Sequence, residues 1–193
     1  PLETGERVFS SETGQLQSTG LETDVAMLNG AYLFIQPPDG EVALSRRGDF
    51  GVDTENRLVD GVGNLILSDG LQPIILPPFT AMKFSDNGEV LVHQPGALPG
   101  DFTSVGFLGS VSPALNSVTK SLDGKIRNLD GSVPDVDQSG LFAQGVLEGS
   151  NVNAIEEMVF NMDMQRQFEI NVKLIKQAEE IDKSGTKLMG LPT

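Results

Sequence analysis

The sequence contains no cysteine and no tryptophan, and it has one histidine and one tyrosine among 193 residues. Without cysteine there is no disulfide, no thiolate nucleophile and no cysteine-bound zinc. The single histidine, His93, cannot form a histidine-rich metal site, although carboxylate sites stay open. No run approaches the ~18 continuous apolar residues of a membrane span. The first residues also lack the basic start and apolar run of a secretory signal peptide.

Positive charge is scarce as well. Lys and Arg total 13 against 27 Asp and Glu, so the formal net charge is -14. A strongly negative surface repels nucleic acids and anionic lipids, so we expect no nucleic-acid partner and no membrane insertion. Hydrophobic residues make up 38% of the chain, which is enough to form a packed core.

Residues 23–111 consist of short apolar segments separated by turn signals. Asn29 and Gly30 supply the positive φ angles of a tight hairpin turn. Further turns are predicted at residues 37–40 and 86–88, where glycine follows proline, aspartate or asparagine. The chain is therefore predicted to be mainly β, with an antiparallel, hairpin-rich β domain over residues 23–111.

Residues 112–150 are polar and rich in glycine and aspartate, with isolated apolar residues. This composition predicts an extended connector with little regular structure. A connector of such length inside a compact domain is unusual, so we expect it to have a partner or to cross between bodies. Residues 1–22 are predicted to be an N-terminal connector.

The hydrophobic period changes near the start of the last segment, residues 151–193. Asn153 is a suitable N-cap, and Glu156 three residues later completes a pattern like a capping box, with Asn151 just before it. No proline or glycine follows until Gly185. One long C-terminal helix is predicted here, and from Asn153 to Ser184 it would be about 48 Å long at 1.5 Å per residue.

Apolar side chains point from this helix in several directions. One stripe consists of Ile155, Met158, Val159 and Met162. On a wheel with 100° per residue, roughly the opposite side carries Met164, Phe168, Val172, Ile175 and Ala178. An intermediate line consists of Ile170, Leu174 and Ile181.

A helix with apolar residues on several sides needs more than one neighbour. No other convincing helix occurs in this sequence, so we expect its partners to be helices of other chains or of a preceding segment. The predicted assembly interface is formed by Ile155, Met158, Met162, Met164, Phe168, Val172 and Ile175.

Three groups of residues are candidates for a chemical site, and His93 is the first. It has no Ser or Cys nucleophile beside it in the sequence, so a structural role is the expectation. Asp130, Asp135 and Asp137 could hold calcium, but their spacing does not match an EF-hand and a solvated acidic loop is favoured.

Asp53, Glu55 and Asp60 could form the paired carboxylates of a glycoside hydrolase. Carboxylates are common in turns, however, and the chain has few of the aromatic rings that stack on sugars. Arg46 and Arg47 are read as the end of a hairpin, or as a rim contact to an acidic partner. The sequence thus predicts no catalytic residue, no metal site and no cofactor.

Residues 147–153 (LEGSNVN), followed by Glu157, Met158 and residues 165–169 (QRQFE), resemble the C-terminal signature of bacterial flagellar axial proteins. The β part is similar as well. Segments such as residues 24–26, 32–35 and 38–40 occur in the order of the rod-protein β domain of that family. The resemblance is strongest to proximal rod members of the family.

This resemblance implies a structural subunit of the flagellar basal-body rod that transmits torque through packed helix interfaces and is not an enzyme. The implied partners are other rod proteins, copies of the chain itself and the flagellar type III export apparatus, with export that cleaves no signal peptide. Members of the family begin with a helical segment that pairs with the C-terminal helix. The given sequence does not contain it, so we expect a truncated form.

Three alternatives stay open at this point. The first is a distal rod or hook subunit of the same family. The second belongs to another class: a β-rich cell-wall hydrolase or carbohydrate-binding module. The third is a free secreted binding module, which would be a stable monomer with an ordered helix.

Overall fold

The computed structural model describes residues 13–38, 40–114, 117–121, 123–152 and 154–189. Fifteen strands precede one helix in these ranges. They are β1 (Leu16–Ser18), β2 (Val25–Leu28), β3 (Tyr32–Gln36), β4 (Ala43–Ser45), β5 (Phe50–Val52), β6 (Leu58–Asp60), β7 (Leu65–Ile66), β8 (Ala81–Phe84), β9 (Glu89–His93), β10 (Thr103–Phe107), β11 (Ser110–Val111), β12 (Val118–Lys120), β13 (Ile126–Asn128), β14 (Leu141–Gln144), β15 (Val146–Glu148) and α1 (Ala154–Met189).

The strands form four antiparallel sheets. The largest has the order β12-β13-β4-β3-β7-β6-β5, and β11 pairs with β3 outside this path. A second sheet has the order β10-β9-β8, and two further pairs are β14 with β2 and β1 with β15. This architecture confirms the prediction of a mainly β chain with antiparallel hairpins and one C-terminal helix.

The chain divides into two units, one ending at Asn151 and the other beginning at Val152. We call the first unit the body. The domain boundaries predicted at residues 22, 111 and 150 stay predictions.

Strand β3 is the centre of the body because both of its faces are buried. Successive side chains of a strand point to opposite faces. Leu33 and Ile35 lie in one apolar cluster, whereas Tyr32 and Phe34 lie in the other. The first cluster also contains the ring pair Phe50–Phe84, with centroids 5.5 Å apart. A single strand therefore holds two cores together.

The turn at Asn29 and Gly30 has the predicted backbone shape, with φ angles of 50° and 74°. The predicted hairpin is nevertheless wrong, because β2 pairs with β14 whereas β3 pairs with β4, β7 and β11. The Asn29 side chain explains the difference. Its Nδ2 donates to the carbonyl of Ser139 at 2.8 Å, and its Oδ1 accepts from the amide of Leu141 at 3.2 Å. The turn thus binds the start of β14 instead of joining two paired strands.

The other two predicted turns do join paired strands. Residues 37–40 connect β3 to β4, and residues 86–88 connect β8 to β9. The Gly40 amide donates to the Pro37 carbonyl at 3.3 Å, and Gly88 has a φ of 80°. Asp39, part of the first predicted turn, lies outside the described residues.

Residues 112–150 contain four strands, where the sequence predicted little regular structure. Strands β12 and β13 pair with each other, and Ile126 pairs with Leu44 of the main sheet. Strand β14 pairs along β2, and its Phe142 is buried. The apolar residues that look isolated in the sequence are thus points where short strands attach to the cores.

Helix α1 continues beyond its predicted end near Ser184 to Met189, through Gly185. Glycine inside a helix costs only about 1 kcal/mol relative to alanine, so a single glycine need not end it. Asn153, the predicted N-cap, lies outside the described residues.

Candidate assembly interface

The predicted interface residues of α1 lie on its surface. Met158, Phe168 and Ile175 are 69%, 70% and 61% exposed. Ile155, Met162 and Met164 are also exposed, and Val172 is partly buried. Burying a large apolar side chain is worth about 1.5–3 kcal/mol, so this exposure is unfavourable for a chain on its own.

These residues, together with Val159, form two stripes that we name here. The first stripe consists of Ile155, Met158, Val159 and Met162. The second stripe consists of Met164, Phe168, Val172 and Ile175. At 100° per residue the centres of the two stripes are about 135° apart around the axis.

Phe160 was missed by the sequence argument and is 60% exposed. It belongs to neither stripe, since at 100° per residue it lies between the second stripe and the line of Ile170, Leu174 and Ile181. That line is exposed too. The signal was available in the sequence, because a phenylalanine between Val159 and Asn161 breaks any single-face pattern.

The start of α1 carries the acidic residues Glu156 and Glu157 in its first turn. Negative charge near a helix N-terminus interacts favourably with the helix dipole. The predicted helix-start residue Asn151 lies three residues before the first helical residue, Ala154. Because Asn153 lies outside the described residues, the predicted capping pattern of Asn153 and Glu156 stays a prediction.

The body ends in a two-stranded ribbon that the sequence did not predict. Strand β1 pairs with β15, with Gln17 opposite Leu147. Glu148 has a side chain 10% exposed; its Oε2 accepts from Arg46 Nη2 at 2.7 Å, and its Oε1 accepts from the Gly14 amide at 2.8 Å. The Arg46 guanidinium also stacks over the Tyr32 ring, 5.6 Å from its centroid. Arg46 therefore joins the ribbon to strand β3.

Asp53 and Glu55, two of the three carboxylates of the hydrolase alternative, both bind Arg57. Asp53 accepts from the amides of Glu55 and Arg57 and from the Arg57 side chain at 2.8–2.9 Å, and Glu55 contacts Arg57 at 3.0 Å. These hydrogen bonds, the Arg57 amide first, lower the pKa of Asp53 despite the opposing effect of desolvation. A lowered pKa suits a turn-closing carboxylate and does not suit a general acid.

Asp60, the third carboxylate, is buried and closes a different turn. Its Oδ1 accepts from the amides of Val62 and Asn64, and its Oδ2 accepts from Asn64 Nδ2 at 2.6 Å. The three carboxylates of the hydrolase alternative therefore serve two separate turns.

His93 lies at the end of β9 and fixes a loop. Its Nδ1 is 2.9 Å from Thr80 Oγ1, its Nε2 is 3.1 Å from the Leu98 carbonyl, and its ring contacts Phe102 edge-on. Within the described residues there is no group of three His, Cys, Asp or Glu side chains placed to hold a metal. Asp130 and Asp137, two of the three candidate calcium ligands, accept hydrogen bonds from the hydroxyl groups of Ser132 and Ser139.

Arg47, the second arginine of the pair considered above, also binds within the body. Its Nε donates to Asp49 Oδ1 at 2.6 Å.

In the described part of the chain, no helix is long and apolar enough to cross a membrane.

Comparison with known proteins places this geometry in a family. Residues 143–188, which include β15 and most of α1, match the model of the flagellar basal body rod FlgEFG protein C-terminal region. The flagellar basal-body rod protein FlgG of Buchnera aphidicola subsp. Schizaphis graminum is 31% identical over 190 residues, covering 93% of this chain and 72% of that protein. FlgG of Borreliella burgdorferi is 32% identical over 181 residues, covering 91% and 67%.

A second kind of relative matches at similar identity. The flagellar basal-body rod protein FlgF of Salmonella typhimurium is 30% identical over 184 residues, covering 92% of this chain and 72% of that protein. A mainly β body followed by an exposed helix with several apolar faces defines a subunit built for assembly. The chain belongs to the family of flagellar basal-body rod proteins, which confirms the family prediction.

Proposed function

We infer that this chain is a structural subunit of the bacterial flagellar basal-body rod. The observation that carries this inference is α1, whose apolar side chains are exposed on several sides within the range that matches the rod family. The inference therefore rests on this exposed apolar surface together with the family match.

The proposed role is mechanical. The helix buries its stripes against neighbouring subunits. Torque passes from subunit to subunit through these packed contacts. A few central apolar residues carry most of the energy in such interfaces, and Phe168 is the largest side chain of the two stripes.

The partners follow from this role. They are copies of this chain and other rod proteins, and the flagellar type III export apparatus delivers the subunit without cleaving a signal peptide. The place of the protein is the rod of the basal body. The similarity to relatives named FlgF and FlgG supports a place in the rod. Because the identity to the two kinds is similar, it does not choose between a proximal and a distal position in the rod.

The first test replaces Phe168 with aspartate in a strain that lacks the gene. Burying a charge where the interface needs an aromatic ring should prevent assembly, since an unpaired buried carboxylate is far more costly than the lost packing. We expect no swimming and absent or truncated rods among isolated basal bodies. The measurements are swimming in soft agar and electron microscopy of the basal bodies.

Gln165→Asp is the matched control. Gln165 is an exposed polar residue of the same helix that at 100° per residue lies between the two stripes and belongs to neither, so the same new charge should leave rods and swimming close to normal. Normal rods in the deletion strain would contradict the proposed function. Normal rods in the Phe168→Asp strain would contradict the proposed interface.

A further inference from the structure

Asparagine followed directly by glycine occurs twice in the sequence, at Asn29–Gly30 and at Asn87–Gly88. Such pairs are prone to lose the side-chain amide spontaneously in water, because glycine has no Cβ to keep its backbone nitrogen away from the asparagine side chain. In a folded protein the reaction depends on how the side chain is held. The two pairs differ in this respect.

The side chain of Asn29 is held at both ends by the segment that leads into β14. Its Nδ2 donates to the Ser139 carbonyl at 2.8 Å, and its Oδ1 accepts from the Leu141 amide at 3.2 Å. These bonds join residues that are 110 and 112 positions apart in the chain. The amide group of Asn29 can therefore turn toward Gly30 only after residues 139–141 have moved away.

The backbone nitrogen of Gly30 is not restrained in the same way. Among the described residues, no group accepts a hydrogen bond from it, and no atom lies within 4 Å of the place where a Cβ of residue 30 would be. The contacts of the Asn29 side chain with residues 139–141 are therefore the main restraint on a reaction at this pair.

The second pair lies in the turn between β8 and β9. Asn87 Oδ1 accepts from Ser85 Oγ at 2.7 Å and from the Glu89 amide at 3.4 Å, so its side chain bonds only within its own turn. The backbone of this turn also meets β14, because the Phe142 amide donates to the Asp86 carbonyl at 3.0 Å. Asn87 is thus an internal reference whose side chain has no bond to residues 139–141.

We propose that Asn29 is a deamidation site that its contact with residues 139–141 protects. When these residues are detached, the Gly30 nitrogen attacks Asn29 Cγ and a new C–N bond closes a cyclic imide. The bond from Cγ to Nδ2 breaks, and the proton of the Gly30 amide passes through water to the departing nitrogen, which leaves as ammonia. Water then adds to one of the two imide carbonyls and opens the ring to aspartate or isoaspartate. The net reaction consumes water and releases ammonia, with no oxidation or reduction.

Neither product can restore the original contacts. An ionised carboxylate has acceptor oxygens only, so the Ser139 carbonyl would face an oxygen where the amide had a donor. Isoaspartate in addition lengthens the backbone of the turn, because the chain then runs through the former side chain. Deamidation is therefore a one-way change. A body that loses this contact for long enough to react cannot attach the start of β14 again as before.

The test follows both pairs in the purified protein. Folded and urea-unfolded samples are incubated at mildly alkaline pH in heavy-oxygen water, so that only conversion during the incubation is counted. Mass spectrometry then quantifies the peptides that contain Asn29 and Asn87. Both should convert at similar rates in urea. In the folded protein we expect Asn29 to convert slower than in urea by on the order of tenfold or more, since two hydrogen bonds must break first.

Leu141→Pro tests the protecting contact directly, because proline lacks the amide that donates to Asn29. Leu141 is the first residue of β14 and its side chain is 49% exposed, a position where a strand tolerates proline. Leu141→Ala keeps the amide and is the matched control. We expect Asn29 to convert about fivefold faster in the folded Leu141→Pro protein than in the control, with Asn87 unchanged.

A further measurement uses the converted protein itself and does not depend on how the proline variant folds. Its added negative charge allows it to be separated by anion exchange. We expect the amide hydrogens of residues 141–144 to exchange with solvent faster in the converted protein than in the unconverted one, because the start of β14 is no longer held.

Three results would overturn the proposal. Equal rates at Asn29 in folded and unfolded protein would show that the contacts do not protect it. Equal acceleration of Asn29 and Asn87 in the Leu141→Pro protein would show that the body opens as a whole. Unchanged amide exchange of β14 after conversion would show that the contacts are not lost. All three concern the isolated body, so the proposed function does not depend on them.

Discussion

Arg47 and Asp49 show how a turn of the body uses charge. Besides its Nε contact, Arg47 donates from Nη2 to Asp49 Oδ2 at 2.8 Å, so the contact is bidentate. Gly61 packs directly on this carboxylate, so a side chain at residue 61 would collide with it. Desolvation alone would raise the pKa of Asp49, but the hydrogen bonds and charge of Arg47, aided by backbone amides, lower it. The folded state thus favours the ionised carboxylate.

This lowered pKa predicts a pH-dependent contribution to stability. A carboxyl group with a lower pKa when folded stabilises the fold above its ordinary pKa of about 3.9, and this contribution disappears as the pH falls through the folded value. In a double-mutant cycle of Asp49→Asn and Arg47→Gln, we expect a coupling of about 0.5–1 kcal/mol at pH 7, since the pair is partly exposed. Urea unfolding at a series of pH values should show the coupling shrinking between about pH 5 and pH 3.

Tyr32 is a suitable probe for these measurements. It is the one tyrosine of a chain without tryptophan, and it is buried in the body. Its fluorescence therefore reports unfolding of the body alone. A coupling that is the same at pH 7 and at pH 3 would contradict the assigned role of the pair.

At the scale of single elements, Asn29 decides which strands meet. Its positive φ makes the turn after β2, and its amide group binds the residues that lead into β14. The turn residue therefore carries two separate functions, one in the backbone and one in the side chain.

Two substitutions separate these functions. Asn29→Gly keeps the positive φ but loses two hydrogen bonds, so we expect a loss of about 1–2 kcal/mol in the free energy of unfolding. Asn29→Ala adds the cost of a left-handed backbone, about 1 kcal/mol or more. Urea unfolding followed by Tyr32 fluorescence measures both.

Asn56 provides the matched control for this comparison. It has a similar φ of 59° in a turn closed by the backbone bond from its amide to the Asp53 carbonyl, at 3.1 Å. Asn56→Gly should change stability little. An equal loss for Asn29→Gly and Asn56→Gly would argue against the role of the Asn29 side chain.

Local signals in the sequence predicted much of the fold. Turn residues and alternating apolar residues located most strands between 25 and 111, and the change of period located α1. What they could not give was long-range pairing. The partner of β2 is β14, more than 110 residues away, and is selected by Asn29 and by the burial of Phe142.

The strands of residues 112–150 could not be recognised in the sequence for a related reason. A strand of three or four residues has too few positions for a period to be recognised, and β12, β13 and β15 have three residues each. The apolar stripes of α1 were easier to recognise, because a helix of 36 residues repeats its pattern many times; that they form an interface stays a prediction. Phe160 was the exception because it lies off both stripes.

At the scale of the whole molecule, the ribbon of β1 and β15 holds the two ends of the body together. The Gly149 amide donates to the Gln15 carbonyl at 2.9 Å, and Glu148 binds both Gly14 and Arg46. Arg46 and Glu148 have side chains only 15% and 10% exposed. This ion pair is therefore well protected from solvent.

Removing one partner of such a pair should be costly. Glu148→Ala leaves the Arg46 charge poorly compensated, and we expect the free energy of unfolding to fall by about 3 kcal/mol. Glu55→Ala is the control, since its ion pair with Arg57 has a carboxylate side chain 67% exposed and should change stability by less than about 1 kcal/mol. A loss for Glu148→Ala no larger than that of the control, measured by urea unfolding, would contradict this role of the ribbon.

The ribbon also makes the body an exchangeable module. Because the chain enters at Gly14 and leaves at Gly149 through adjacent, hydrogen-bonded backbone, the distance between entry and exit does not depend on what lies between them. Insertions, deletions or a grafted foreign domain between these points can alter the size and chemistry of the body without changing the spacing between its entry and its exit. Selection can thus reshape the body while helix α1 keeps its own sequence and geometry.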